Sequence, residues 1–262
     1  VDVKKIAFKA AQEAGKLLKE RLGKIKQVDY KSAFNIVTDV DKASENLILQ
    51  IIKDAFPEDS FLAEESGMSQ VKSNRRWLVD PLDGTTNYTH AYPFFSVSIA
   101  FELDGEVTFG TVFNPMSDEL FWAEKGSGAF LNDTPIKVST IDNISSSLLA
   151  TGFPPDTGAN ADNNINEFAT LTSTSHGVRR DGSAALDLSF VACGRLDGFW
   201  ETKLSPWDIA AGGLIVEEAG GKLTNLTGKP LQLTSGYILA TNGLIHDQVL
   251  AALAQLRQAK LS

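Results

Sequence analysis

The run WLVDPLDGTTN, residues 77–87, constrains the fold of this chain more than any other. An apolar, strand-like segment ends at Asp80, Pro81 fixes a turn, and Asp83 returns a second carboxylate. A carboxylate emerging from a buried element is costly unless a cation holds it. Any fold built on this run must therefore bring a cation, or its distant ligands, to the end of one strand. Gly84 permits close approach, and Thr85 and Thr86 supply hydroxyls and backbone N–H groups. If a helix starts there, its free N–H groups suit a phosphate. Carboxylates repel a phosphate, and a divalent cation between them reverses that sign. Oxygen-only ligands select Mg²⁺ or a similar hard ion. Asp80 can then bridge two ions, the geometry of two-metal hydrolysis. The other readings are a calcium site and a turn carrying surface acids. EF-hand spacing is absent, and a strand-end aspartate makes a poor surface acid.

Three further acidic clusters stand at strand or helix ends: Asp39 with Asp41, Glu64 with Glu65, and Asp208. Each has an ordinary alternative. Asp39 and Asp41 suit a helix cap, Glu64 and Glu65 a solvated pair, and Asp208 the positive end of a helix. Trp77, Trp122, Trp200 and Trp207 read as packing residues. His90 and His176 lack any His/Cys partner spacing and read as structural. Arg179 and Arg180 read as a solvated or interface pair, with a phosphate-facing role as the weaker alternative. Cys193 stands alone in an apolar run, which excludes an intramolecular disulfide and a cysteine-rich zinc site.

The 262 residues suffice for one large domain or two fused halves and for a substantial core. A net charge of −9 argues against nucleic-acid binding. No apolar run approaches the roughly 20 residues that span a bilayer, so no membrane role is expected. The N-terminal run shows no cleavage-site pattern and reads as an amphipathic helix. Because the sequence opens on Val1, residues ahead of it are expected to have been removed or left out. The cytoplasm is the expected compartment.

Helical spacing covers residues 3–22, and again TDVDKASENLILQIIKDAF, with Leu47, Ile48, Ile51, Ile52 and Ala55 on one stripe. Thr38 or Asp39 is positioned to cap it, and Pro57 follows its end. SFLAEES and RWLVDP read as strands. FFSVSIAFELDGEVTFGTVFNP and ELFWAEKGSGAFLN read as hairpins, the first turning at Asp104-Gly105. The second half alternates: strands at SSLLATGF, LDGFWET and GYILATN, and helices at ADNNINEFATLTST, SAALDLSFVACG, PWDIAAGGLIVEEAGG and HDQVLAALAQLRQAK. The polar stretch 154–164 is a candidate mobile loop. These patterns predict layered sheets covered by helices. Two tightly fused halves are expected, 1–140 carrying most of the acidic set and 141–262 carrying the rest.

DPLDGTTN, with AEES upstream and PWDIAAGGLIVEEAGG downstream, resembles the inositol monophosphatase family of Mg²⁺-dependent, lithium-sensitive sugar-phosphate phosphatases. The resemblance runs along nearly the whole chain in the same order. It implies an α+β fold, the layered αβαβα sandwich shared with fructose-1,6-bisphosphatases. It implies hydrolysis of a small polyol phosphate, most readily inositol 1-phosphate, with two or three Mg²⁺ ions and a homodimeric state. It assigns Glu64, Asp80, the Leu82 carbonyl, Asp83 and Asp208 to metal, with Glu65 as support and Asp80 as the bridge. Gly84 and Thr85 contact phosphate, and Thr85 with Glu64 positions and deprotonates water. Gly182, Ser183 and Ala184 in RRDGSAALDL line the polyol, and Glu201 receives its hydroxyls. The fit loosens in the expected loop DYKSAFNIVTDVD, where Lys31 matches an expected lysine and Asn35 stands in place of an acid, which weakens the loop's part in a third, weaker metal site; the resemblance still implies that Asp41 supports that site through water. Fructose 1,6-bisphosphate, histidinol phosphate and 3′-phosphoadenosine compounds are alternative substrates. A partner-binding regulatory role is the alternative of a different class.

Overall fold

The computed structural model describes residues 2–25, 27–32 and 35–259, apart from the side chains at 29–32, 35, 255 and 257–259. The expectations for the Lys31 and Asn35 side chains therefore lie outside the described residues. The first helix, α1 (Val3–Arg21), is capped by Asp2, which accepts from the Lys4 N–H at 3.0 Å. Its buried face is a row of small residues, Ala7, Ala10, Ala11, Ala14 and Gly15, closed by Leu18. That row lets α2 (Asp39–Ala55) and the underlying sheet approach closely: a Cβ on Gly15 would lie 2.5 Å from the Phe113 ring. Thr38 caps α2 and Asp41 completes a capping box. The buried stripe of α2 is rotated from the expected one. It runs through Val40, Ser44, Ile48, Leu49 and Ile52, whereas Leu47, Ile51 and Ala55 lie half-buried at its flank. The rotation brings the polar Asp41 and Glu45 inward, where both make contacts described below.

Between these helices, β1 (Val28–Ser32) and β2 (Asn35–Thr38) form an antiparallel pair where a loop was expected. The eight-stranded sheet comprises β3 (Ser60–Ala63), β4 (Gly67–Met68), β5 (Arg75–Asp83), β6 (Ser96–Leu103), β7 (Glu106–Asn114), β8 (Glu119–Glu124), β9 (Ala129–Leu131) and β10 (Thr134–Ile136). Their order is β10-β9-β8-β7-β6-β5-β3-β4. Both expected hairpins are present, and the sheet is antiparallel except for the parallel pairing of β3 with β5. A short helix, α3 (Thr85–Thr89), leaves the end of β5.

The five-stranded sheet holds β11 (Leu148–Thr151), β12 (Gly177–Arg179), β13 (Gly198–Glu201), β14 (Lys222–Thr224) and β15 (Ile238–Thr241), in the order β12-β11-β13-β15-β14. Its helices are α4 (Ile165–Thr174), α5 (Ala184–Ala192), α6 (Pro206–Glu218) and α7 (His246–Ala259).

Strand alternation sorts the layers. Trp77 and Val79 of β5 pack under α1 and α2 with Ile48 and Ile52. Leu78, on the opposite face, joins Ala100 and Val112 against Leu188 of α5 and Ile215 of α6, and the same core reaches Phe199 and Ala240 of the second sheet. On that sheet's far face, Leu149, Trp200 and Leu239 meet Leu171 of α4 and Val249 of α7. The result is the expected αβαβα order. Helix α6 is covered on both sides, and at its closest point a Cβ on Gly110 would lie 2.8 Å from Ala211 Cα. Trp77, Trp122 and Trp200 are buried, as expected of packing residues. His90 and His176 are exposed rather than packed. Among the described residues no helix is long and apolar enough to cross a membrane.

Candidate active site

The end of β5 carries a one-residue irregularity. Asp80 pairs with Ser98 of β6 and Asp83 with Ser96, so three steps along β5 match two along β6. In a regular strand these aspartates would point to opposite faces. The extra residue restores parity and brings both to one face, and Pro81 sits in the bulge, where a strand tolerates proline. Ser44 of α2 donates to the Pro81 carbonyl at 2.8 Å, and the Leu82 N–H donates to Asp80 Oδ1 at 3.0 Å. The Leu82 side chain is buried. Gly84 has φ +98°, and a Cβ there would meet the Gly182 and Phe94 carbonyls at 3.1 Å. Glycine is required on both counts.

The other carboxylates arrive from separate elements. The Glu64 N–H binds the Val79 carbonyl at 3.1 Å, and the Glu65 N–H donates to buried Glu45 Oε2 at 2.8 Å, which holds the turn after β3 against β5 and α2. Asp208 stands in the first turn of α6, where its Oδ2 accepts from the Ser205 N–H at 2.7 Å. Glu201 ends β13, and its carboxylate lies over Gly152, where a Cβ would fall 2.2 Å from Oε2. The segment ahead of α5 is fixed by Asn87, which donates to the Asp181 carbonyl at 2.7 Å and the Phe94 carbonyl at 2.8 Å.

These groups meet in one cavity of about 170 Å³, lined by Glu64, Asp80, Leu82, Asp83, Gly84, Thr85, Gly182, Ala184, Glu201 and Asp208, together with Gly152, Arg180 and Leu204. Ser183 does not line it. Its hydroxyl turns inward and donates to Asp83 Oδ2 at 2.6 Å, beside the Ala185 N–H at 2.8 Å. Glu65, His90, His176 and Arg179 also lie outside the lining.

The electrostatics are those of crowded, buried acids. Burial raises the Asp80 pKa well above the usual carboxylate range, and Glu64, Asp83 and Asp208 push it further. Burial lifts Asp83 to about 6 against the Ser183 and Ala185 hydrogen bonds. Burial and then Asp83 take Asp208 to about 8. Burial, followed by Asp208 and Asp83, takes Glu201 to about 8. Among the described residues, Asp80, Asp83 and Asp208 take no ion pair, and the Asp80 carboxyl is in hydrogen-bonding contact with that of Asp208. Two touching carboxyls need a proton or a cation between them. The donor set is all oxygen and suits a hard divalent ion. As it stands, no three described side chains are arranged to enclose an ion. The fit to Mg²⁺ rests on this oxygen-only donor set, crowded with buried acids, rather than on a closed cage.

One residue has a role that its position in the sequence does not express. Asp41 is fully buried; Oδ2 takes the cap bonds from Thr38, while Oδ1 accepts from Thr85 Oγ1 at 2.9 Å. Thr85 Oγ1 also reaches the Leu82 carbonyl at 3.1 Å. A hydroxyl carries one proton, so Thr85 donates to one of these at a time and accepts from another donor. The capping-box pattern was a readable signal for Asp41, but it pointed only to the cap.

The family model described as Inositol monophosphatase family matches residues 1–259. An inositol-1-monophosphatase from Synechocystis sp. is 48% identical over 255 residues, 97% of this chain and 89% of that protein. A protein named Nus factor SuhB from Pseudomonas aeruginosa is 42% identical over 245 residues, 90% of each chain. The structure of an inositol monophosphatase from Anabaena (Nostoc) sp. superposes with a TM-score of 0.88 at 49% identity, covering 96% of this chain and 94% of that one.

Proposed function

This chain belongs to the inositol monophosphatase family and is a phosphatase, and from that premise we propose that it hydrolyses inositol 1-phosphate in a Mg²⁺-dependent reaction. The observation that carries the proposal is the single cavity in which Glu64, Asp80, the Leu82 segment, Asp83 and Asp208 face Gly84, Thr85 and Glu201. The oxygens of Glu64, Asp80, Leu82, Asp83 and Asp208 would hold two or three ions. When bound, Mg²⁺ neutralises the phosphate and acidifies water.

The chain's own residues do the rest. The Gly84 and Thr85 N–H groups hold phosphate oxygens. Thr85 Oγ1 accepts a hydrogen bond from the attacking water, with its own proton directed to Asp41. Glu64 faces the same water and takes its proton. Ser183 and the Ala185 N–H keep Asp83 aimed and ionised, since hydrogen bonds to a carboxylate favour the charged form. Gly182 and Ala184 border the polyol, Ser183 acts through Asp83, and Glu201 accepts polyol hydroxyls. Catalysis on this reading is positioning and charge stabilisation, as in phosphoryl transfer generally.

We also propose a homodimer in the cytoplasm, with residues 1–140 and 141–262 folding as one unit; sedimentation and a single unfolding transition test these points. The test of function is phosphate release with and without Mg²⁺ and lithium, from inositol 1-phosphate, fructose 1,6-bisphosphate, histidinol phosphate and 3′-phosphoadenosine 5′-phosphate. Lithium-sensitive, Mg²⁺-dependent release that favours inositol 1-phosphate is the expected result. No release from any of the four would refute the proposal and favour a partner-binding role.

A further inference from the structure

Arg180 is the one basic residue among those lining the cavity, alongside five carboxylates. It also lines an adjoining cavity of about 190 Å³ formed with Ile36, Thr86 and Pro155. The two cavities share Gly84, Thr85, Arg180 and Gly182, so the guanidinium stands at their junction, just beyond the phosphate cradle. Its place is built. Gly182 has φ +88°, and a Cβ there would lie 2.7 Å from Arg180 Nη1 and 3.1 Å from Asn87 Nδ2. The positive φ favours glycine here, its bare Cα lets the guanidinium lie against the backbone, and Asn87 anchors that backbone through the Asp181 carbonyl.

Among the described residues Arg180 makes no hydrogen bond or ion pair, although Asp181, Asp187 and Glu201 all feel its charge. Arg195, by contrast, is paired with Glu119, and Arg75 with Asp59. A planar fork of donors held at a cavity junction matches phosphate or carboxylate geometry. The transferred phosphate does not require it, because the oxygen-only ligand set supplies that charge through its cations. The adjoining cavity has no such ligand set.

We propose that Arg180 forms a second anion subsite, so that this chain also accepts polyol or sugar substrates that carry a second phosphate. This deepens, and rests on, the phosphatase reading of the same cavity. The test compares initial phosphate release from inositol 1-phosphate and inositol 1,4-bisphosphate by the unsubstituted enzyme, Arg180→Gln and Arg180→Lys, with the oligomeric state followed by sedimentation. One charge-assisted bidentate contact predicts a loss of roughly tenfold or more. Arg180→Gln should therefore lower kcat/KM for the bisphosphate at least about tenfold more than for the monophosphate, mainly through KM. Arg180→Lys should fall between, since it keeps the charge and loses the fork. Equal losses on both substrates, with or without a shift in oligomeric state, would overturn the subsite while leaving the phosphatase reading intact. An unchanged ratio in Arg180→Gln would do the same. Absence of Mg²⁺-dependent release from either substrate by the unsubstituted enzyme would overturn the phosphatase reading, and the subsite with it.

Discussion

Gly152→Ala is a one-methyl test of the polyol side of the site. The new Cβ would stand 2.2 Å from Glu201 Oε2, 2.3 Å from Oε1 and 2.4 Å from Cδ, whereas ordinary contact begins at 3.4 Å. The carboxylate must retreat by about 1.2 Å or the end of β11 must yield. Neither side is free. Glu201 is buried, and Thr151 just before Gly152 donates to the Trp200 carbonyl at 2.5 Å. Overpacking of this kind costs about 1–3 kcal/mol, a drop of several degrees in Tm for a chain of this size. Displacing a carboxylate that accepts polyol hydroxyls removes a charge-assisted hydrogen bond of about 1.5–3 kcal/mol. On that scale kcat/KM for inositol 1-phosphate falls roughly 10- to 150-fold. The assay is phosphate release together with thermal unfolding, in a double-mutant cycle with Glu201→Ala. If the methyl acts through Glu201, the double variant is no slower than Glu201→Ala and melts higher than Gly152→Ala, because the clash is gone. Losses that add in full, or a Gly152→Ala enzyme with unchanged kcat/KM, would refute the placement of Glu201 over Gly152.

Asp83→Asn and Asp208→Asn should each abolish turnover while circular dichroism and cooperative unfolding survive; wild-type rate in a folded Asp83→Asn protein would remove Asp83 from the mechanism. Ser183→Ala should raise the Asp83 pKa, since the 2.6 Å bond favours the ionised form, and weaken Mg²⁺ binding by calorimetry near neutral pH most of all. Without metal, the raised pKa values of Asp83 (about 6), Asp208 and Glu201 (both about 8) mean that the folded state holds protons the unfolded chain has released. Their contribution to stability is therefore present below pH 4 and lost as pH rises through 6 and 8. Because cations bind the deprotonated set, the Mg²⁺-induced rise in Tm should be larger at pH 8 than at pH 5; equal rises would contradict this picture. Gly110→Ala, forced against Ala211 Cα at 2.8 Å, should cost stability by about 1–3 kcal/mol in urea unfolding with little change in KM.

Periodicity exposed most of the fold, because long amphipathic helices and tight hairpins write their faces into local sequence. Residues 3–21, 39–55 and the β6–β7 hairpin were legible for that reason. The parallel pairing of β3 with β5 was not, since nothing local records which strand lies beside another across a loop. Strands of two or three residues, such as β4, β12 and β14, are too short for alternation to register. In the site, the acids of DPLDGTTN stood out because a carboxylate at the end of an apolar run is costly, whereas Asp208 suited a helix start and was assigned to metal through the resemblance. Asp41 read as a cap and, through the resemblance, as water-mediated metal support, but not as the partner of Thr85, because its two oxygens serve different elements and the Thr85 contact spans 44 positions. Arg180 looked like a surface charge; the space made by Gly182, invisible without coordinates, places its guanidinium at the cavity.

The bulge between Asp80 and Asp83 lets β5 carry one more residue than β6 without turning either acid away. Removing one residue at 81 or 82 would return β5 to simple alternation, still able to pair with β6 and still presenting Trp77, Leu78 and Val79 to their two cores. Asp83 would then stand two positions after Asp80 and keep its face, and what would go is the bulge itself, with the backbone turn that Ser44 holds through the Pro81 carbonyl. A single in-frame deletion thus spares the facing of both acids and removes only the turned backbone between them, so it separates what the carboxylates contribute from what the bulge contributes.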